Sequence, residues 1–141
     1  MIKLVRLDYR LLHGQVVFSW TGHVGAQRII VVDDDAANDE MKKSALLLSK
    51  PAGVRVNIFT VDKAIAKMPK VEQLDEKIMM IFGNTAALLK FCQAYPKIKE
   101  INYGAVANKP GSKAFDQSVF LTPEELSLIP ISEPTRRVVI S

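Results

Sequence analysis

Short runs of consecutive hydrophobic residues alternate along the chain with amphipathic segments. The short runs predict strands, and the amphipathic segments predict helices. Strands are predicted at Ile2–Arg6, Arg28–Asp33, Arg55–Phe59, Lys77–Phe82, Glu100–Tyr103 and Ser118–Leu121. Helices are predicted at Gly14–Val24, Asn38–Ser49, Val61–Lys67, Thr85–Tyr95 and Pro123–Leu128.

This alternation of strands and helices is typical of a parallel α/β sheet. Runs such as Ile29–Val32 are hydrophobic at every position, so helices are expected to cover both faces of the sheet. We therefore predict a three-layer α/β/α fold with a mainly parallel central sheet of about six strands. Residues 1–141 are expected to form a single domain, in which residues 129–141 are an atypical tail because Pro130 and Pro134 interrupt the helical pattern.

Composition and charge narrow the class of protein. Hydrophobic residues make up 48% of the chain and charged residues 24%, with a net charge of +4, which indicates a soluble globular protein. The basic residues are scattered and lack interleaved aromatic residues, which argues against nucleic-acid binding. Charged residues interrupt the amino-terminal segment too early for a signal peptide. No run of hydrophobic residues is long enough to span a membrane. A cytoplasmic location is therefore expected.

The single cysteine, Cys92, excludes an internal disulfide bond. It lies in a hydrophobic segment with Leu88, Leu89 and Phe91, so a buried structural thiol is the favoured interpretation.

The densest polar cluster follows the first predicted strand and contains Arg6, Asp8, Arg10 and His13. Ligands of open parallel sheets bind outside the carboxyl ends of the strands, where this cluster is expected to lie. The helix predicted to begin at Gly14–Gln15 directs its free N–H groups to the same place, which favours an anion. Gly14 leaves room for a group on His13 to approach the backbone closely.

These residue types suit the transfer of a phosphoryl group. Imidazole is a good nucleophile near neutral pH, and a phosphorylated histidine passes its group on readily. Arg10 can hold two phosphoryl oxygens, while Asp8 is expected to orient Arg10 or Arg6 without touching the phosphoryl group. From the pattern alone, a structural histidine and an ordinary surface ion pair remain alternatives. His23 lies outside this cluster and is interpreted as structural.

The run Arg6-x-Asp8-x-Arg10-Leu11-x-His13-Gly14-Gln15-Val16 resembles the active-site signature of the mannose/fructose/sorbose family of phosphotransferase-system (PTS) IIB components. Four further segments are similar to segments of that family: Arg28–Asp34, Pro51–Val54, Ile81–Asn84 and Ile101–Gly104. The similarity covers roughly residues 1–128, and the last two segments resemble loops that border the phosphorylation site.

The resemblance implies a cytoplasmic phosphocarrier that is a phosphotransferase. By this resemblance, His13 accepts a phosphoryl group from a IIA component, at Nδ1, and transfers it to a sugar during uptake through the membrane components IIC and IID. It also carries over Arg6, Asp8, Arg10 and Gln15 as supporting positions, to which the argument from the backbone adds Gly14. No cofactor and no metal are expected. The protein is expected to associate peripherally with the permease and not to insert into the membrane.

Two departures from the family pattern affect the carboxyl-terminal part. The tail Ile129–Ser141 replaces the usual final helix and strand, with Val138–Ile140 as a candidate short strand. The loop Ala105–Lys113 lacks the usual pair of glycines. Both lie away from the His13 motif in the sequence.

Two alternative functions stay open at this point. One is a non-catalytic binding or regulatory module with the same fold. The other is a magnesium-dependent, receiver-like phosphotransfer domain, suggested by Asp33, Asp34 and Asp35 together with Asp8. The three consecutive acids are better interpreted as a turn and the start of the second helix.

Overall fold

A computed structural model describes residues 1–12, 15–95, 100–103, 113–116, 119–121 and 137–140, with side chains for 1–12, 18–95, 101 and 102. In chain order the described elements are β1 (Ile2–Leu7), α1 (Gln15–Val24), β2 (Arg28–Val32), α2 (Asp34–Ala37), α3 (Glu40–Leu48), β3 (Arg55–Phe59), α4 (Val61–Glu72), β4 (Ile78–Phe82), α5 (Thr85–Ala94), β5 (Glu100–Tyr103), β6 (Lys113–Asp116), β7 (Val119–Leu121) and β8 (Arg137–Ile140).

Six of these strands form one sheet in the order β3-β2-β4-β1-β5-β8. Every neighbouring pair in it is parallel. Helices cover both faces, so the predicted three-layer α/β/α fold is confirmed.

The carboxyl-terminal strands differ from the prediction. Ser118–Leu121 was predicted as a strand of the central sheet, but β7 pairs antiparallel with β6 in a separate two-stranded sheet. The edge of the central sheet is instead β8, which lies in the tail and pairs with β5. The candidate strand Val138–Ile140 is thus confirmed, and the helix predicted at Pro123–Leu128 lies outside the described residues.

Two hydrophobic cores lie on opposite faces of the sheet. One contains Leu7, Met80 and Phe82 together with the inward faces of α4 and α5. The other contains Met79 and Ile81 of β4 and packs against α1, α2 and α3. Strand β4 is buried at all five positions because it contributes alternate side chains to both cores.

Helix α4 was predicted to end at Lys67, but it continues through Pro69 to Glu72. Its buried residues recur at helical spacing and include Met68 and Val71 on either side of the proline. Burial of this continuous stripe offsets the backbone hydrogen bond that Pro69 cannot donate.

Two helices, α2 and α3, follow β2. The predicted helix Asn38–Ser49 is found as α3, with its ends within two residues of the prediction, whereas the short α2 before it was not predicted as a separate helix. Asp33 caps the first by accepting a hydrogen bond from the Ala36 N–H. Asp39 caps the second by accepting from the N–H groups of Met41 and Lys42. The Asp39 cap starts a new helix because its carboxylate accepts hydrogen bonds from N–H groups of the first turn. In a continuous helix, carbonyls of the preceding turn would accept those hydrogen bonds.

Cys92 is 1% exposed and packs in the core beneath α5, so the predicted burial of the thiol is confirmed. No helix within the described ranges is long and apolar enough to cross a membrane.

Candidate functional site

Strands β1 and β4 are neighbours whose following helices leave the sheet on opposite faces. The register pairs Leu7 with Phe82 at their carboxyl ends, and the Asp8 N–H donates to the Phe82 carbonyl at 2.9 Å. Helix α1 then packs on one face and α5 on the other. This arrangement is the topological switch point at which open α/β sheets bind ligands.

The loop after β1 is a tight turn anchored by hydrophobic side chains. The Leu11 N–H donates to the Asp8 carbonyl at 3.1 Å, and Leu11 adopts a left-handed conformation with φ of 56°. Leu11 and Leu12 are both buried in the core shared with α1, α2 and α3. Their burial holds the turn in a conformation that a non-glycine residue rarely adopts.

The Asp8 carboxylate lies at the centre of a buried cluster and is fully inaccessible to solvent. Its Oδ1 accepts hydrogen bonds from the backbone N–H and the Nε of Arg10, both at 3.0 Å. Its Oδ2 accepts from Arg10 Nη2 at 3.0 Å and from Arg6 Nη2 and Nε at 3.3 and 3.4 Å. Asp8 therefore orients both arginines at once.

Arg6 is also fully inaccessible, and its Nη1 donates to the side-chain oxygen of Asn102. The register places Asn102 of β5 directly beside Arg6 of β1, and Asn102 is 2% exposed. Burial lowers the pKa of the Arg6 guanidinium, while the charge and hydrogen bonds of Asp8 act in the opposite direction. Two guanidinium groups around one carboxylate leave this cluster with one net positive charge.

Arg10 is the member of the cluster that reaches the surface, with 32% of its side chain exposed. Its hydrogen bonds to Asp8 are the main cause of a raised pKa, so the guanidinium stays charged throughout the accessible pH range. Asp8 engages Nε and Nη2, whereas Nη1 makes no hydrogen bond to the described part of the chain. Arg10 is thus held in a fixed orientation while part of its charged side chain is exposed.

The structure brings together three of the residues predicted from the sequence, Arg6, Asp8 and Arg10. His13 and Gly14 lie outside the described residues, immediately after the buried Leu12, and Gln15 is the first residue of α1. His23 lies in the last turn of α1, with its ring edge-on to Trp20 at a centroid distance of 5.5 Å.

Asn102 is the residue of this cluster that was not predicted as a site residue. The segment Ile101–Gly104 was predicted only to border the site. The contact between Asn102 and Arg6 joins residues 96 positions apart, and no local sequence signal reports such a pairing.

The acidic run after β2 is used by the backbone. Asp33 caps α2, and Asp34 Oδ1 accepts a hydrogen bond from the Val61 N–H at 2.8 Å. Burial raises the pKa of the Asp33 carboxyl, and the hydrogen bond from Ala36 acts against that shift. The interpretation of these acids as a turn and helix start is confirmed.

Within the described residues, no three His, Cys, Asp or Glu side chains are grouped so as to hold a metal ion.

Gly83, which follows β4, lies directly against Asp33. A Cβ at position 83 would be 2.6 Å from Asp33 Oδ1 and 3.3 Å from Asp33 Cβ. We expect Gly83→Ala to lower the free energy of unfolding by about 1–3 kcal/mol, because the capping carboxylate has to move. Urea unfolding measures this, with Gly22→Ala in α1 as the control, since a Cβ there meets nothing within 4 Å. Equal stability of both variants would contradict the expected clash.

The sequence matches the family described as "PTS system sorbose subfamily IIB component" over residues 2–131. It is 35% identical over 125 residues to the sorbose-specific EIIB component of Klebsiella pneumoniae, covering 89% of this chain and 76% of that protein. It is 31% identical over 126 residues to the mannose-specific EIIAB component of Escherichia coli K12, covering 89% of this chain and 39% of that protein.

The chain is also similar to solved structures of PTS IIB components. The IIBSor domain of the sorbose permease from Klebsiella pneumoniae superimposes with a TM-score of 0.89 at 31% identity, covering all of this chain and 87% of that one. The N-acetylgalactosamine-specific IIB component 1 from Escherichia coli superimposes with a TM-score of 0.91 at 28% identity, covering all of this chain and 93% of that one.

Proposed function

Because the chain belongs to the sorbose subfamily of PTS IIB components, a family of phosphotransferases, we propose that it relays a phosphoryl group to a sugar through His13. The donor is a phosphorylated IIA component. The acceptor is a sugar that enters through the membrane components IIC and IID. The relatives are named for sorbose, mannose, fructose and N-acetylgalactosamine, which supports a sugar as the class of acceptor.

The observation that carries this proposal is the fixed guanidinium of Arg10. Asp8 accepts two hydrogen bonds of 3.0 Å from this guanidinium and a third of 3.0 Å from the Arg10 backbone N–H, while a third of the side chain stays exposed. Arg10 lies three positions before His13 in the sequence, in the loop that follows the carboxyl end of β1. A pre-oriented guanidinium stabilises the charge on the equatorial oxygens of a transferring phosphoryl group.

The proposed reaction consists of two displacements at phosphorus. A ring nitrogen of His13, Nδ1 by resemblance to the family, attacks the phosphorus on the donor histidine. The donor P–N bond breaks, and its electron pair returns to the donor ring. A sugar hydroxyl then attacks the same phosphorus and loses its proton to a base or water. The P–N bond to His13 breaks, and its electron pair returns to the His13 ring, which is left neutral.

Gly14 and Gln15 are assigned supporting roles in this proposal. Gln15 is the first residue of α1, whose N-terminal N–H groups suit an anion. Gly14 carries no side chain that would crowd a phosphoryl group on His13. The transfer takes place in the cytoplasm, at the cytoplasmic side of the permease.

The experiment is to incubate the protein with phosphoenolpyruvate, enzyme I, HPr and a IIA component, and to measure its intact mass. We expect a gain of about 80 Da that is lost in acid, as a phosphohistidine requires. The His13→Ala variant should gain nothing, and His23→Ala serves as the matched histidine control that should gain the full mass. IIA components of a sorbose and a mannose system are tested in parallel.

The outcomes separate the candidate functions. A gain in the wild type and in His23→Ala, but not in His13→Ala, supports the relay. A phosphorylated IIA that binds the chain without transferring its group would favour a binding or regulatory module. Acid-stable label, or label retained by His13→Ala, would contradict the proposed nucleophile.

A further inference from the structure

Asn102 of β5 is a buried neighbour of the arginine cluster with no role in the relay described above. We propose that Asn102 is a positioning residue, whose neutral amide holds Arg6 in place while preserving the single net positive charge of the Arg6–Asp8–Arg10 cluster. This inference rests on the proposed phosphotransfer function and adds a residue that determines its rate.

The contacts form a continuous chain from β5 to the surface. The Asn102 oxygen accepts from Arg6 Nη1, and Arg6 donates through Nη2 and Nε to Asp8 Oδ2. Asp8 in turn accepts from Arg10 Nε and Nη2 at 3.0 Å. Asn102, Arg6 and Asp8 are each at most 2% exposed, so these side chains have little freedom to rearrange.

The charge of the cluster depends on the residue at position 102. Within the described part of the chain, Asp8 and Arg10 are charged groups that act on Arg6. A buried guanidinium is usually balanced by carboxylates, and an aspartate at 102 would complete that balance. Asparagine has nearly the same shape and accepts the same hydrogen bond, but it leaves one positive charge for an incoming anion. A buried charge acts strongly on a ligand because solvent screens it little.

The same pairing occurs elsewhere in the molecule and provides a matched control. Arg28, the first residue of β2, donates from Nη1 to the Asn57 side-chain oxygen and from Nε to Glu76 at 2.8 Å. It therefore binds one carboxylate and one asparagine, as Arg6 does. Arg28 lies at the amino end of its strand, whereas Asp8 and Arg10 follow the carboxyl end of β1. Asn57→Asp thus makes the same chemical change away from the site.

The experiment compares Asn102→Asp, Asn102→Ala and Asn57→Asp in single-turnover phosphorylation by a phosphorylated IIA component, with Tm measured for each. Asn102→Asp is expected to keep or raise Tm, yet to accept the phosphoryl group roughly tenfold more slowly. Its rate should also fall less steeply with added salt, because a positive charge has been neutralised. Asn102→Ala should lower both the rate and Tm, the latter by roughly 3–10 °C, because Arg6 loses a buried acceptor.

Asn57→Asp should transfer at the wild-type rate with the wild-type salt dependence. Asn102→Asp with wild-type rate and salt dependence would overturn the inference, as would an equal slowing by Asn57→Asp. A wild-type protein that gains no phosphoryl group under the same conditions would instead count against the proposed function itself. The failures of the two proposals are therefore distinguishable.

Discussion

Replacement of Asp8 by alanine is expected to lower the free energy of unfolding by about 3–5 kcal/mol, a large part of the total stability of a domain. Arg6 is fully inaccessible, and among the described residues its ion pair is with Asp8. Without that partner a positive charge remains buried beside the neutral Asn102, and burial already disfavours the charged guanidinium. Urea unfolding followed by circular dichroism measures the loss.

A double variant tests the cause. Arg6→Met removes the buried charge and leaves an unbranched hydrophobic side chain, so Arg6→Met/Asp8→Ala should be more stable than Asp8→Ala alone. The rescue should be partial, because the Asn102 oxygen then loses its hydrogen bond from Arg6. Equal instability of the single and double variants would contradict a charge effect and point to lost packing.

Arg10→Ala is expected to slow phosphoryl transfer to His13 by roughly 10²-fold or more, the cost of losing one pre-oriented charge donor at such a centre. Stability should change by only about 1 kcal/mol, because the side chain is one-third exposed and Asp8 keeps its contacts with Arg6. Single-turnover transfer from a phosphorylated IIA component measures the rate, and urea unfolding measures the stability.

Arg10→Lys separates charge from geometry. Lysine keeps the positive charge but loses the paired contacts of Nε and Nη2 with Asp8, so it should recover only part of the rate. The matched control is Arg55→Ala, which removes an exposed arginine from the start of β3 and should transfer normally. Transfer at the wild-type rate by Arg10→Ala would contradict the assigned role.

The first five strands were predicted to within one residue at each end. Strands β2 and β4 are hydrophobic runs that the sheet buries almost completely, and the chain changes polarity where each of them ends. The carboxyl-terminal errors have a different origin. Three residues of β7 carry a strand pattern but no signal of which strand they join, so their place in a separate antiparallel pair was not predictable. The continuation of α4 past Pro69 depends on burial, which the local sequence does not show.

The candidate site was predictable as far as its residues are close in the sequence. Arg6, Asp8 and Arg10 alternate along one segment, and the prediction that Asp8 orients an arginine needed only that spacing. The contact of Arg6 with Asn102 depends on β5 lying beside β1, and that strand order is a property of the whole sheet. For the same reason the sequence did not predict that Gly83 lies against Asp33.

The position of β1 within the sheet has a consequence for biosynthesis. Strands β2 and β3 pair with each other and are made early, whereas β1 pairs with β4 and β5, which begin at residues 78 and 100. The segment bearing Asp8 and Arg10 is therefore synthesised before both strands that flank β1, and its buried partner Asn102 follows 96 residues after Arg6. Pairing over such separations is slow, and domains generally fold as units during synthesis. A chain with an assembled arginine cluster has thus completed its sheet at least as far as β5.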